Sequence, residues 1–255
     1  MLSKDCSAES SRADLLLIRK LVEVAESLPT NTQVDDVPFL VAVLHNSTGL
    51  NPHEAADLNL GAARLFVHYG RFQVAGEHYY SAIKSLHEHG DFVGADVVLN
   101  ELRSLPSIKL DDDRTALKAF ADLASGSLAI SRHKSNAAGK AAEDMAQDIG
   151  RLSPYYNYWY RVNLLQELFA LQQSAGMKAS AEKTYKQIKA IAVDSVTPGG
   201  DESGVSGMET KRPYQDELDI LEKLSHNCQI PNLKADAEKV LDDVKRKRTA
   251  ALGNP

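Results

Sequence analysis

The histidines are the residues in this sequence best suited to metal or acid–base chemistry, and four of the eight lie between positions 68 and 89. A zinc site needs three or four converging ligands, often two histidines one helical turn apart beside an acid. His87 and His89 are two positions apart, so on a helix their imidazoles lie on different sides. We therefore expect solvated histidines beside a turn and no metal site. His78 lies in a helical stretch, where we expect it to pack or to face a groove.

An aromatic run is the stretch most typical of a binding surface. It reads SPYYNYWYR over 153–161, and five of the six residues from 155 to 160 are aromatic. At 100° per residue, so dense a run covers more than one face of a helix. Two interpretations stay open: a helix buried on two sides, or a contact surface for a protein or peptide. Arg161 beside it suits a carboxylate. The candidate partner-binding residues here are Tyr155, Tyr156, Trp159, Tyr160 and Arg161.

A basic stretch ends the last predicted helix. Positive charge at a helix C-terminus complements the helix dipole. Asp242 and Asp243 precede it at helical spacing, so they can pair with Arg246 and Lys247. We interpret the stretch as a solvated helix end, with a nuclear address or an acidic partner as the alternative. It consists of Lys245, Arg246, Lys247 and Arg248.

The sequence contains no motif for phosphate binding, dinucleotide binding or a nucleophile elbow. The glycines between 199 and 207 neither follow an apolar strand nor open a helix directly, so they lack the context in which glycines cradle phosphate. The segment from Ser81 to Lys84 matches a short serine–lysine pattern without the accompanying motifs, and we interpret the match as chance. We therefore expect no cofactor and no enzymatic activity.

Composition narrows the class of protein. A hydrophobic content of 43% and a charged content of 25% are typical of a globular chain. The net charge of -6 argues against nucleic acid as a partner, because phosphate binding requires a positive surface. Cys6 and Cys228 lie too far apart in sequence to indicate a disulfide framework or a zinc site. No apolar run approaches the roughly 20 residues of a membrane span. The N-terminus lacks the apolar segment of a signal peptide, so we expect a cytoplasmic protein.

The stretch from 56 to 89 predicts two amphipathic helices folded back on each other around Gly70. Glycine reaches positive φ without steric cost, so Gly70 can end the first helix and reverse the chain. Asn51, Pro52 and Glu54 form the pattern of a capped helix start. Apolar residues at three- and four-residue spacing give each helix one buried face. They are Leu58, Ala62, Leu65 and Phe66, followed by Phe72, Ala75, Tyr79, Ala82, Ile83 and Leu86.

This hairpin resembles a tetratricopeptide repeat, a helix–turn–helix unit of about 34 residues. The resemblance rests on Ala63, Phe66, Gly70, Phe72, Ala75, Tyr79 and Ala82. A looser match follows at Leu165, Leu168, Gly176, Ala181, Tyr185 and Ile188.

The resemblance implies an all-α fold, an irregular α-solenoid or right-handed superhelix of antiparallel helical hairpins. In that family the first helices of the hairpins form a concave groove that holds a peptide or a partner's helix. The residues that this implies as groove contacts are Asn59, Arg64 and His68, together with the aromatic run.

The rest of the chain predicts further helices, and the sequence HGDFVGA at 89–95 echoes YGRFQVA at 69–75. The second helix of one hairpin can therefore serve as the first of the next. We predict a tail at 1–10, a helical-repeat domain at 11–193, a flexible linker at 194–211 and a C-terminal hairpin at 212–255. This hairpin either caps the array, folds over the groove as a latch, or forms a separate element. The helices are expected at 11–28, 91–105, 114–131, 135–152, 153–174, 178–193, 213–226 and 232–251. The short apolar segment 37–44 is compatible with a strand by composition, but between helices we expect a buried short helix.

We expect a non-enzymatic protein–protein interaction module, such as a scaffold, adaptor or chaperone, that binds a peptide or a partner helix. The alternative is a helical ligand-sensing regulator or enzyme with a pocket near the aromatic run. The oligomeric state is left open by the sequence.

Overall fold

A computed structural model of the chain describes residues 50–105, 111–153, 158–194 and 215–252, together with seven single positions between 13 and 24. The described residues form helices and turns, with no strand among them. This confirms the all-α prediction. The seven positions between 13 and 24 are helical, as predicted for 11–28. The predicted tail at 1–10, the segment at 37–44 and residues 195–211 of the predicted linker lie outside the described residues.

The chain divides into two compact units, residues 1–156 and 157–255. This division falls within the aromatic run. The first unit contains α1 (Pro52–His68), α2 (Phe72–Glu88), α3 (Phe92–Ser104), α4 (Asp111–Ser131) and α5 (Ser135–Arg151). The second contains α6 (Tyr158–Ser174), α7 (Lys178–Asp194), α8 (Gln215–Asn227) and α9 (Pro231–Leu252).

Two helix starts show how local sequence sets the boundaries. At α1 the capping box forms as predicted: the Glu54 amide donates to Asn51 Oδ1 at 2.9 Å, and the Asn51 amide donates to Glu54 Oε2 at 3.0 Å. Helix α4 begins at Asp111, three residues before the predicted start. Its three aspartates form the first turn instead of preceding it, where their charge complements the helix dipole.

Four turns between consecutive helices share one hydrogen-bond pattern. In each, a residue with positive φ ends the helix, and the next amide donates to the carbonyl five residues earlier, as Arg71 does to Phe66 at 2.8 Å. This is the Schellman arrangement, which satisfies carbonyls at the end of a helix. The corresponding bonds in the other three turns are Asp91 to Leu86, Lys134 to Ala129 and Met177 to Gln172. The residues with positive φ are Gly70, Gly90, His133 and Gly176.

Each of these turns is followed by a buried alanine at the same distance. The alanine lies five residues after the positive-φ position, is 0% exposed, and donates its amide to the carbonyl of the residue just before the new helix. A small side chain there lets the two helices of the hairpin approach closely. The four residues are Ala75, Ala95, Ala138 and Ala181.

Helix α2 is the centre of the first unit, because it packs against α1, α3 and α4. It therefore belongs to two successive hairpins, as the repeated turn sequence predicts. Helices α2 and α4 run parallel. Gly76, near the start of α2, faces Phe120 at the middle of α4, and His87 Nδ1 lies 3.3 Å from Ser131 Oγ near the ends of both helices. The core around this contact includes Phe66, Tyr79, Phe120 and Met145.

The second unit consists of two hairpins, α6–α7 and α8–α9, and α7 also packs against α8. Helices α6 and α8 run parallel with a constant register. Gln166 Nε2 donates to the carbonyl of Ile220 at 3.5 Å, and Gln173 Nε2 donates to that of Asn227 at 3.1 Å, both across 54 residues. The unit has its own core, formed by Leu164, Leu168, Phe169, Tyr185, Ile188 and Leu221.

Candidate functional site

The candidate residue Asn59 lies between α1 and α2. Its Nδ2 donates to the Ala55 carbonyl at 2.9 Å, and its Oδ1 lies 2.9 Å from Nδ1 of His78. The His78 ring also stacks on Phe66, with 5.4 Å between centroids. His78 is thus packed between helices, one of the two placements expected for it, and Asn59 helps to hold it there.

The candidate residue Arg64 is engaged by a carboxylate on α3. Its Nε and a terminal nitrogen donate to the two oxygens of Glu101, each at 2.7 Å. The buried Tyr79 hydroxyl donates to the same carboxylate at 2.9 Å. Burial alone raises the pKa of Glu101, but the hydrogen bonds from Arg64 and Tyr79 outweigh it and lower this pKa overall. Burial, followed by the charge of Glu101, raises the pKa of the Tyr79 phenol. Glu101 therefore ties three helices together.

The second unit repeats this arrangement of a buried tyrosine, an acid and a cation. Both Tyr79 and Tyr185 stand nine residues after a turn glycine of positive φ, Gly70 and Gly176 respectively. The Tyr185 hydroxyl donates to Asp236 Oδ2 at 2.7 Å, and Lys189 Nζ donates to the same oxygen at 2.7 Å. These tyrosines anchor neighbouring helices, and the arrangement is structural in both units.

The remaining candidate residues are placed as follows. His68 is half-buried with its ring edge-on to Tyr69, 5.1 Å between centroids. Its Nε2 is buried and has no hydrogen-bond partner among the described residues. Tyr160 and Arg161 are half-buried in the first turn of α6. Trp159 belongs to the same turn, whereas Tyr155 and Tyr156 lie outside the described residues.

The histidines at the end of α2 contact different neighbours and not each other. His89 Nδ1 lies 2.9 Å from the Ser85 carbonyl, and His87 contacts Ser131 on α4. Burial lowers the pKa of His87. Within the described residues, no three histidine, cysteine or acidic side chains are grouped so that they could hold a metal ion.

At the basic end of α9, two cations of the run are paired. Arg246 pairs with Asp243, and its Nε donates to the backbone carbonyl of Asp242 rather than to that side chain. Lys245 Nζ lies 3.1 Å from Glu222 Oε1 on α8. The run thus partly ties α9 to α8.

A groove lies between the parallel helices α6 and α8, and its lining begins just after the aromatic run. Its volume is about 610 Å³. Helix α6 contributes Val162, Asn163 and Gln166, and α8 contributes Ile220, Lys223 and His226. Gln166 and Gln173 on α6 donate to backbone carbonyls of α8, so hydrogen bonds connect the two helices that form the groove.

The groove has the chemistry of a peptide site. Side-chain amides can donate to and accept from a peptide backbone. Asn163, Gln166 and Asn227 supply them. Charges of both signs stand along α8: Asp219, Lys223 and His226 are exposed, and Glu222 pairs with Lys245. This arrangement can bind a peptide main chain together with charged side chains.

No family model, curated protein or solved structure matches this chain. Among the described helices, none combines the length and the apolar character required to cross a membrane. The fold and the groove therefore define only a class, an all-helical protein of antiparallel hairpins.

Proposed function

We propose that the protein is a non-enzymatic interaction module, a tetratricopeptide-like array in which the α6–α8 groove holds a peptide segment of a partner protein. The observation that carries this proposal is the groove itself, with its amides and its exposed charges on α8. A volume of about 610 Å³ suits a short peptide segment. The side chains of Asn59 and Arg64 are engaged by His78 and Glu101, so we assign the binding role to the groove instead of to α1.

The arrangement of the helices supports the array. In stacked hairpins, each helix runs antiparallel to the next one and parallel to the one after that. The pairs α2–α4 and α6–α8 do so. Helices α1 and α3 follow the same rule, because His53 faces Asp91 at their starts and Arg64 meets Glu101 further along. The repeated turns, each with its buried alanine, give these hairpins a common geometry.

The test is a peptide-library selection on the full chain, followed by affinity measurements with the charge reversal Lys223→Glu. Lys223 is exposed in the groove, so the substitution changes its electrostatics without disturbing the core. We expect affinity for selected acidic peptides to fall at least about tenfold, since reversing a close charge removes an attraction and adds a repulsion. Lys247→Glu on the exposed face of α9 is the matched control and should leave affinity unchanged.

Equal binding by wild type and Lys223→Glu would remove the groove as the peptide site. A ligand-sensing pocket is the second candidate, because the groove volume also suits a small molecule. If no peptide is selected, and a small molecule raises the melting temperature of wild type but not of Lys223→Glu, that candidate replaces the first.

A further inference from the structure

A buried carboxylate, Asp148, faces α4 from the last turns of α5. The residue is 1% exposed. Lys118 Nζ on α4 donates to its Oδ1 at 3.1 Å and lies 2.9 Å from its Oδ2, and Arg151 donates to Oδ1 at 3.2 Å. A buried carboxylate must be paired to be stable, and these two cations provide the pairing.

Asp122 brings a second carboxylate to the same place. It stands one helical turn after Lys118 on α4 and is half-buried, and its carboxylate interacts with that of Asp148. The Oδ2 atoms of Asp122 and Asp148 are both buried, and neither accepts a hydrogen bond of good geometry from a described residue. Lys118 and Arg151 are both engaged by Asp148, so Asp122 Oδ2 is left without a donor of its own. One proton between the two carboxylates removes that cost.

We propose that Asp122 and Asp148 share one proton across the α4–α5 interface, so that mildly acidic solution tightens this hairpin and neutral solution loosens it. The device is independent of the groove, which lies in the other unit. It adds a response to pH that the interaction function does not require.

The surrounding charges agree with this assignment. Burial, followed by the negative charge of Asp148, raises the pKa of Asp122 to about 6, and Asp144 on α5 acts in the same direction. Lys118 opposes the rise, and it is shared with Asp148. Helices α2 and α3 also pack against α4, but the described contacts of their charged or titratable side chains with it involve other residues. Arg103 of α3 donates to Ser125, and His87 of α2 contacts Ser131.

The sign of the effect follows from proton binding. Between pH 3.8 and about 6, the folded chain holds a proton on Asp122 that the unfolded chain has lost. The stabilisation that this proton provides is therefore present in acid and is lost as the pH rises through about 6. An ordinary ion-paired carboxylate behaves in the opposite way.

The experiment compares wild type with Asp122→Asn in the full chain, by denaturant unfolding at pH 7.5 and pH 5.0. The amide of an asparagine at position 122 can donate a hydrogen bond to Asp148 at both pH values. We expect the variant to be the more stable at pH 7.5, and the ratio of the two unfolding constants to shrink by several-fold to roughly tenfold at pH 5.0. Glu143→Gln, which removes an exposed carboxylate from α5, should show a constant ratio.

A second measurement does not depend on the stability of any variant. In a ¹³C carboxyl NMR titration of the wild-type chain, one aspartate should titrate near pH 6, and its signal should be absent from Asp122→Asn. A pH-independent stability ratio, or titration of every aspartate below about pH 5, would overturn the proposal.

Discussion

His133 is the one non-glycine residue among the described positions whose φ is positive, at 56°. The three matching turns have glycine at this position. An L-residue in this region costs roughly 1 kcal/mol because its Cβ crowds the backbone. We expect His133→Gly to raise the free energy of unfolding by up to about 1 kcal/mol. The gain is reduced because glycine has more conformational entropy than histidine in the unfolded chain. Urea denaturation measures the change.

The control for this substitution is His133→Ala, which removes the imidazole but keeps the Cβ. It should show no comparable gain. Equal stabilisation by alanine and glycine would mean that the imidazole, and not the backbone conformation, is unfavourable there.

His133 also shows which turns can be predicted from single residues and which cannot. Gly70, and the echo of its turn at Gly90, could be predicted because glycine marks a positive φ. The sequence SRHKS carries no such mark, so the identity of this turn with the others appears only in its hydrogen bonds. Arg64 was a candidate from its place on a helix, but its partner Glu101 is 37 residues away and no local pattern indicates the pair.

Between elements, the contact of α2 with α4 depends on a missing side chain. Gly76 on α2 is buried against Phe120 on α4, and a Cβ at Gly76 would lie 2.3 Å from the phenyl ring. Alanine favours a helix over glycine by up to about 1 kcal/mol, but such crowding typically costs about 1–3 kcal/mol. We expect Gly76→Ala to lower the free energy of unfolding by about 1 kcal/mol or more, measured by urea denaturation.

Gly150 provides the matched control, because it is a helical glycine on α5 and a Cβ added there would have no neighbouring atom within 4 Å. Gly150→Ala should raise stability by up to about 1 kcal/mol. Opposite signs at the two glycines would assign the cost to the α2–α4 contact. A gain at both would show that Phe120 moves aside freely.

At the scale of the whole molecule, helices and turns follow from local sequence, but the groove does not. Apolar spacing and turn glycines suffice to predict α1 and α2, whose contacts are between near neighbours in sequence. The groove depends on α6 and α8 meeting in a register of 54 residues. Gln166 and Gln173 hold that register by donating to backbone carbonyls. Every residue has such a carbonyl, so the sequence does not reveal which ones are the partners. Local sequence therefore indicates the aromatic run at the start of α6 and a pocket near it, but not which polar side chains of α8 line that pocket.

The division into two units predicts that each has enough core to fold alone. The first contains Phe66, Tyr79, Phe120 and Met145, and the second contains Phe169, Tyr185, Ile188 and Leu221, all largely or fully buried. We expect fragments 1–156 and 157–255 each to be helical by circular dichroism and to unfold cooperatively.

Because every residue that lines the groove lies in the second unit, the fragment 157–255 should also bind peptides selected on the full chain, with similar affinity. Isothermal titration of both proteins measures this, with Lys223→Glu in the fragment as the control. A folded fragment that fails to bind would mean that residues of the first unit complete the site. A fragment that does not fold would show that its core requires the rest of the chain, and the two units would then form one cooperative structure.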